Sequence, residues 1–60
     1  MLSKLKLYRM QSGFKAKDVA KKLGVSAAYI SKLENGSAVL TQEILIKLAK
    51  AYSCSPRELV

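Results

Sequence analysis

Histidine is absent from this 60-residue sequence, and cysteine occurs once, as Cys54. One cysteine cannot form an internal disulfide, and without histidine the usual zinc clusters cannot be built. No pairing of a nucleophile with a base and no phosphate-binding loop can be assembled either. We therefore expect no metal, no cofactor, no small-molecule substrate and no enzymatic activity. Cys54 is interpreted as a buried small hydrophobic residue, with a redox role as the alternative.

Long apolar runs are also missing. No stretch approaches the roughly 20 apolar residues of a membrane-spanning helix. Residues 1–10 lack the continuous apolar region of a signal peptide. We therefore expect a cytoplasmic protein that does not interact with a membrane.

Acidic residues are few. The chain has four Asp and Glu residues and 11 Lys and Arg residues, which gives a formal net charge of +7. A chain with this balance is expected to bind an acidic polymer. Nucleic acid is the favoured partner, and an anionic membrane surface is the remote alternative.

Aromatic residues are limited to one Phe and three Tyr, whereas half of the residues are apolar. This composition suits a small helical bundle built on Leu, Ile, Val and Ala. A chain of this length buries only about 60% of the surface that it exposes when unfolded, which leaves no room for a deep catalytic cleft. No repeat, linker or low-complexity segment is present, so a single domain over residues 1–60 is expected.

The segment from Phe14 to Gly36 is the most informative part of the chain. Apolar residues recur at helical spacing on both sides of a short Gly-Val-Ser turn, at Val19, Ala20, Leu23, Ile30 and Leu33. Gly24 can adopt the left-handed conformation that ends one helix, and Ser26 is a good N-cap for the next. Val25 should pack into the core, and the small Ala20 allows two helices to cross closely. Together these features predict a helix-turn-helix motif.

Four stretches carry a resemblance to a known family. They are L-x-x-x-R-x-x-x-G-F at 5–14, D-V-A-x-x-L-G-V-S at 18–26, Y-I-S-K-L-E-N-G at 29–36 and L-x-K-L-A-K-A-Y-x-C-S-P-x-E-L at 45–59. With them the chain resembles the lambda-repressor-like, Cro and xenobiotic-response-element group of helix-turn-helix regulators. The resemblance covers nearly the whole chain. It implies an all-α fold, a compact five-helix bundle in which helices 2 and 3 form the helix-turn-helix.

Periodicity and capping residues predict the bounds of the helices. The first three should span about Lys4–Ser12, Ala16–Leu23 and Ala27–Asn35. A fourth should follow the Thr41 cap, and a fifth should begin at Pro56 within a Ser55 to Glu58 capping box. The expected core-facing residues of the first, fourth and fifth helices are Leu2, Leu5, Tyr8, Arg9, Leu45, Leu48, Ala49, Tyr52 and Leu59.

The resemblance implies that the third helix reads DNA bases through its outward face, at Ala27, Ala28 and Lys32. Two alanines permit close approach and can touch a thymine methyl group, while Lys32 can reach guanine O6 or N7. Contacts to DNA phosphates are expected from Lys15, Lys17, Tyr29 and Ser31.

The sequence departs from the family pattern at the start of the second helix. Most relatives have Thr-Gln where this chain has Lys15 and Ala16, so the usual capping hydroxyl is missing. Lys15 and Lys17 can instead meet phosphates as positive charges. For Lys21 and Lys22, phosphate contact and a merely solvated helix face remain equally open.

Two further contacts are implied by the resemblance. Arg9 should form a salt bridge with Glu34, although a solvated Arg9 is the alternative.

The loop at 37–40 lacks the basic residues and proline of relatives, and Val39 and Leu40 are expected to pack into the core. Apolar residues of doubtful burial in this region are also candidates for a weak two-fold dimer contact, namely Val39, Ile46 and Val60.

The leading functional hypothesis is a sequence-specific DNA-binding transcriptional regulator, a repressor that binds an inverted-repeat operator. The alternative is a protein-interaction module such as an antitoxin or accessory subunit, indicated by apolar residues that the core does not fully explain, namely Leu7, Met10, Val39 and Ile46. An exposed face around Ala27 and Ala28, flanked by Lys15, Lys17 and Lys32, favours DNA. Coverage of that face by Glu34 or another chain favours interaction.

Overall fold

The computed structural model describes residues 3–60. Four α-helices follow one another, α1 (Lys4–Gln11), α2 (Ala16–Leu23), α3 (Ala27–Asn35) and α4 (Gln42–Ala51), and then a 3₁₀ helix at Pro56–Leu59. No strand occurs within these described residues. The all-α expectation is confirmed.

The expected count of five helices is wrong, because the last element is one turn of 3₁₀ helix. Its four residues are too few for a series of α-helical hydrogen bonds. The Glu58 amide donates to the Ser55 carbonyl, three residues back, at 3.0 Å. Of the predicted capping box, the Glu58 half is present, since its Oε2 accepts from the Ser55 amide at 2.8 Å.

Short polar side chains begin three of the helices as predicted. The hydroxyl groups of Ser3, Ser26 and Thr41 accept hydrogen bonds from amides three residues ahead, at 3.2, 3.1 and 3.2 Å. Each bond satisfies a backbone donor that the first helical turn leaves free. The turn between α2 and α3 contains Gly24 with φ of 74°. This left-handed conformation is the one that favours glycine.

The start of α2 is capped in a different way. Lys15 offers no side-chain acceptor, and its own backbone amide donates to Asp18 Oδ2 at 2.9 Å. Asp18 also places a negative charge in the first turn, where the helix dipole favours it. The carboxylate therefore replaces part of what the missing capping hydroxyl would supply.

The core lies between the helices and is wholly apolar apart from one phenol. Its buried members are Leu5, Val19, Ala20, Ile30, Leu33, Leu48, Ala49, Tyr52 and Leu59. The helices α2 and α3 pack extensively on each other, with the small Ala20 buried. Val25 and Tyr29 are partly buried and pack against this core.

The observed burial differs from the predicted burial at Leu45, Cys54 and Val39. Leu45 and Cys54 are only partly buried, at the edge of the core. Leu40 packs against it, but Val39 is 81% exposed, so the expectation that Val39 fills the core is wrong. The two residues lie in the loop between α3 and α4, where only one of two consecutive side chains, that of Leu40, packs against the core. Leu2 lies outside the described residues.

No helix within residues 3–60 has the length and apolar character needed to cross a membrane. In the same part of the chain, no group of three or more Cys, Asp or Glu side chains could hold a metal ion.

Candidate nucleic-acid interface

One face of α3 is open to solvent along its whole length. Ala27, Ala28, Ser31 and Lys32 are all exposed. Positions 27, 28, 31 and 32 lie on one side of an α-helix, because neighbours three and four residues apart share a face. The first turn of α3 contains no acidic residue. The predicted base-reading residues therefore share an accessible face with small side chains at its beginning.

The opposite face of α3 fixes its orientation. Ile30 and Leu33 are buried at 1% and 5% exposure, and Tyr29 is half-buried beside the core. The Ser26 cap sets the first turn through its bond to the Tyr29 amide. Tyr29 therefore packs with its ring inward, as expected, whereas Ser31 remains fully outward. Because one side of α3 is fixed against the core, its exposed side keeps a constant orientation relative to the rest of the domain.

Glu34 belongs to α3 but does not cover the exposed face. Its Oε2 accepts from Arg9 Nε at 2.7 Å, and its Oε1 accepts from Arg9 Nη2 at 3.2 Å. Only 8% of the Glu34 side chain and 13% of the Arg9 side chain are exposed. The expected salt bridge is present, and a merely solvated Arg9 is not what the structure shows.

Arg9 connects three parts of the fold. Besides the two bonds to Glu34, its Nη1 donates to the Phe14 carbonyl at 3.0 Å. The hydrogen bond with Glu34 raises the pKa of Arg9 above its usual value, although partial burial acts in the opposite direction. The guanidinium thus ties α1 to α3 and to the loop that leads into α2.

All four carboxylates make contacts within the chain. Asp18 accepts from the Lys15 amide, and Glu58 accepts from the Ser55 amide. Glu34 binds Arg9, and Glu43 lies 3.6 Å from the Lys47 ammonium. The few negative charges therefore lie near donors, while most lysines have no carboxylate partner among residues 3–60.

The lysines expected at DNA phosphates are exposed. Lys15 and Lys17 lie at the start of α2, and Lys32 lies on the open face of α3. None of the three forms a salt bridge within the described part of the chain. Lys21 is exposed as well. Lys22 differs, because its ammonium lies 5.2 Å from the centre of the Phe14 ring.

The three residues expected at a dimer contact are exposed but lie on separate segments. Val39 is in the loop after α3, Ile46 is in α4, and Val60 follows the 3₁₀ helix, with exposures of 81%, 39% and 66%. The carbonyl of Val60 accepts a hydrogen bond from Lys4 Nζ at 2.7 Å, which holds this end of the chain beside α1.

One residue near the interface was missed by sequence reasoning. Asn35 is exposed at the end of α3, and its Oδ1 accepts from the Ser37 amide at 2.9 Å. Gly36 follows in the left-handed region with φ of 84°. The signal was available, since an Asn side chain that binds the backbone two residues ahead is a common turn device. Position 35 also continues the open face one turn beyond Ser31.

Comparison with known proteins identifies the family. A family model described as helix-turn-helix matches residues 5–59, which is nearly the whole chain. No curated protein and no solved structure gives a significant match. The matched range includes α2, the turn at Gly24 and α3, as well as the Arg9 to Glu34 bridge. The chain belongs to the helix-turn-helix family of lambda-repressor-like, Cro type, a family of DNA-binding regulators.

Proposed function

We propose that this chain is a single DNA-binding domain over residues 1–60 that acts as a sequence-specific transcriptional repressor. Helix α3 enters the major groove with its open face toward the bases. The observation that carries the proposal is the inward direction of Glu34. Its bond to Arg9 leaves a face without negative charge, and Lys32 lies on that face.

Base readout falls to the residues along this face. Ala27 and Ala28 allow the helix to approach closely and offer methyl groups to thymine. Lys32 lies about one turn further along and can donate to guanine O6 or N7. With one long polar side chain among these three, a single copy of the domain reads few base pairs.

Contacts to the DNA backbone supply most of the affinity. Lys15 and Lys17 lie at the start of α2, where free amides and the helix dipole also favour anions. Tyr29 and Ser31 add hydroxyl groups beside the base-reading residues. Contacts of this kind position the protein on the duplex without selecting a sequence.

A homodimer resolves the shortage of base contacts. Two copies on one duplex double the number of bases read, and a two-fold axis requires an inverted repeat. The half-site centres would then lie about 34 Å or ~10 base pairs apart. We assign the contact to Val39, Ile46 and Val60, whose exposed apolar side chains gain from mutual burial. The small number of such residues indicates a weak dimer.

Selection of bound sites from a random duplex pool tests the proposal. We expect a recovered inverted repeat, because two α3 helices related by a two-fold axis read symmetric half-sites. Ala28→Asp should abolish enrichment, since a carboxylate on the open face repels phosphates and can pair with Lys32 four residues further on, which also withdraws that lysine from the bases. Gln42→Asp is the matched control, because it adds the same charge at the exposed start of α4. Enrichment that survives Ala28→Asp would reject α3 as the reading helix.

A protein-interaction module is the second candidate. It is favoured by the exposed apolar side chains of Leu7 and Met10 on α1, at 40% and 54% exposure. Neither side chain belongs to the buried core or to the partly buried residues packed against it. If the random pool yields no enriched sequence, this candidate replaces the repressor.

A further inference from the structure

A depression of about 450 Å³ lies between the last turn of α2 and the second half of α4. Its lining residues are Lys22, Leu23, Lys47, Lys50 and Ala51. We call it the lysine groove. None of its lining residues belongs to α3 or to the proposed DNA interface.

The groove has three cations from two helices. Lys47, Lys50 and Ala51 follow each other at positions i, i+3 and i+4, which places them on one stripe of α4. Lys22 comes from α2, where its ammonium is held over the Phe14 ring. Lys50 has no salt bridge among the described residues. The Lys47 pair with Glu43 is long and exposed on both sides, so it exchanges readily with other partners.

Lysines at the ends of helices have an ordinary explanation, since they offset the negative end of the helix dipole. That explanation applies separately to Lys22 in α2 and to Lys50 in α4. It does not account for an apolar floor shared by both helices. Leu23 and Ala51 form this floor, and both are only partly buried.

We propose that the lysine groove binds an acidic amphipathic helix of a partner protein. An apolar stripe of that helix packs on Leu23 and Ala51, and carboxylates beside the stripe reach the three lysines. Docking of an amphipathic helix in a groove is a general mode of recognition. The molecule measures 24 × 23 × 20 Å. A helix of ~12 residues is about 18 Å long, so it can cross one face of the molecule.

The chemistry of the groove favours a protein over a nucleic acid. Its lining contains no aromatic side chain on which a base could stack and no arginine that could clamp a phosphate. Carboxylates spaced along a helix suit separated lysines better than a continuous phosphate chain does.

The groove and the proposed DNA interface lie on different sides of α2. Lys17 and Lys22 are five residues apart, which turns their side chains about 140° from each other around the helix. A regulator bound through α3 would therefore keep the groove free for a second partner. Only this simultaneous binding depends on the proposed function; the groove itself does not.

The test uses the full chain labelled with ¹⁵N and a synthetic 12-residue helical peptide. The peptide has one leucine stripe flanked by glutamates. We expect amide shifts concentrated at Lys22, Leu23, Lys47, Lys50 and Ala51. Replacing both α4 lysines, Lys47→Glu with Lys50→Glu, should weaken binding at least tenfold.

The matched control is Lys6→Glu with Lys21→Glu, which changes the net charge equally at exposed sites outside the groove. It should weaken binding less than threefold. Thermal melts establish that both double variants fold. The neutral double variant, Lys47→Gln with Lys50→Gln, is a milder second test and should also weaken peptide binding.

Three outcomes would overturn the proposal. The first is equal binding of a peptide with the same composition but scrambled order. The second is a similar loss of affinity in the control variant. The third is a larger change in the chemical shifts of the groove amides on adding tripolyphosphate or a DNA duplex than on adding the peptide. A duplex that shifts α3 amides while the peptide binds nowhere would reject the groove but retain the repressor.

Discussion

Arg9 forms hydrogen bonds with Glu34 and with the Phe14 carbonyl. Its removal should show how much these contacts stabilise the fold. Arg9→Ala leaves the mostly buried Glu34 carboxylate unpaired, and Glu34→Ala leaves the guanidinium unpaired. Each change should cost about 2 kcal/mol or more, because breaking a buried pair exposes the full cost of an uncompensated charge. In a domain of this size, with roughly 3 to 5 kcal/mol of total stability, that loss is severe.

The double variant should lose less than the sum of the single variants, since neither charge remains. Urea melts of all four proteins provide the measurement. Glu34→Gln serves as a milder variant that keeps the side-chain volume. Strict additivity would show that the two side chains do not stabilise each other.

The hydroxyl of Tyr52 is the one buried side-chain nitrogen or oxygen atom without a hydrogen-bond partner among residues 3–60. Leaving a buried donor unpaired costs free energy that a phenyl ring would not incur. Tyr52→Phe should therefore leave the free energy of unfolding unchanged or raise it by up to about 1 kcal/mol. Thermal melts at neutral pH measure this. A loss above ~1 kcal/mol would mean that the hydroxyl is hydrogen-bonded, for example to an internal water.

The same residue should make stability fall at high pH. Burial, followed by the negative charge of Glu34, raises the pKa of Tyr52 to about 12. The unfolded chain loses this proton near the ordinary tyrosine value of about 10, so stability is full below that pH and declines as pH rises toward 12. The decline should reach roughly 2 kcal/mol. Tyr52→Phe should remove this contribution to the decline.

At the level of elements, α2 and α3 differ in the kind of contact that we assign to them. Lys32 lies on the open face of α3, and Lys17 lies in the first turn of α2. Lys32→Ala should change which base is preferred at one position of the site. Lys17→Ala should weaken binding to all sequences alike and reduce the salt slope by about one unit.

Affinities of both variants for a panel of single-base operator changes, at several salt concentrations, separate the two effects. Lys6→Ala is the matched control, because it removes an equal charge from an exposed position of α1. A uniform loss for Lys32→Ala, with no change of preference, would contradict its role in base readout.

At the level of the whole molecule, the dimer assignment depends on apolar residues in three segments. Val39 is the most exposed of them, and its side chain makes no core contact that folding needs. Val39→Asp should therefore leave the monomer folded but abolish cooperative binding to an inverted repeat, because burying a carboxylate in an apolar contact is costly. Footprinting over a concentration series measures cooperativity.

Met10→Asp is the matched control, since it places the same charge on the exposed side of α1. It should leave cooperativity intact. Protection of a single asymmetric half-site, with no dependence on Val39, would contradict the dimer. Loss of assembly in Met10→Asp alone would place the contact on α1 and favour the interaction module.

The elements were determined largely by the sequence. The bounds of α2 and α3 follow the prediction, and the caps at Ser3, Ser26 and Thr41 are those expected. The reason is that capping bonds and helical periodicity involve residues within a few positions of each other. The exposed face of α3 followed from the same periodicity, because burial of Ile30 and Leu33 turns positions 27, 28, 31 and 32 outward.

Tertiary packing decided what local rules could not. The fifth element is a 3₁₀ turn, Val39 points to solvent, and Lys22 lies over Phe14 eight residues away in the sequence. The sequence near Arg9 also does not show which carboxylate it binds, since Glu34 lies 25 positions away and only family resemblance connected them. Such contacts depend on how helices pack, and packing is settled by the burial of all core side chains together rather than by any one segment.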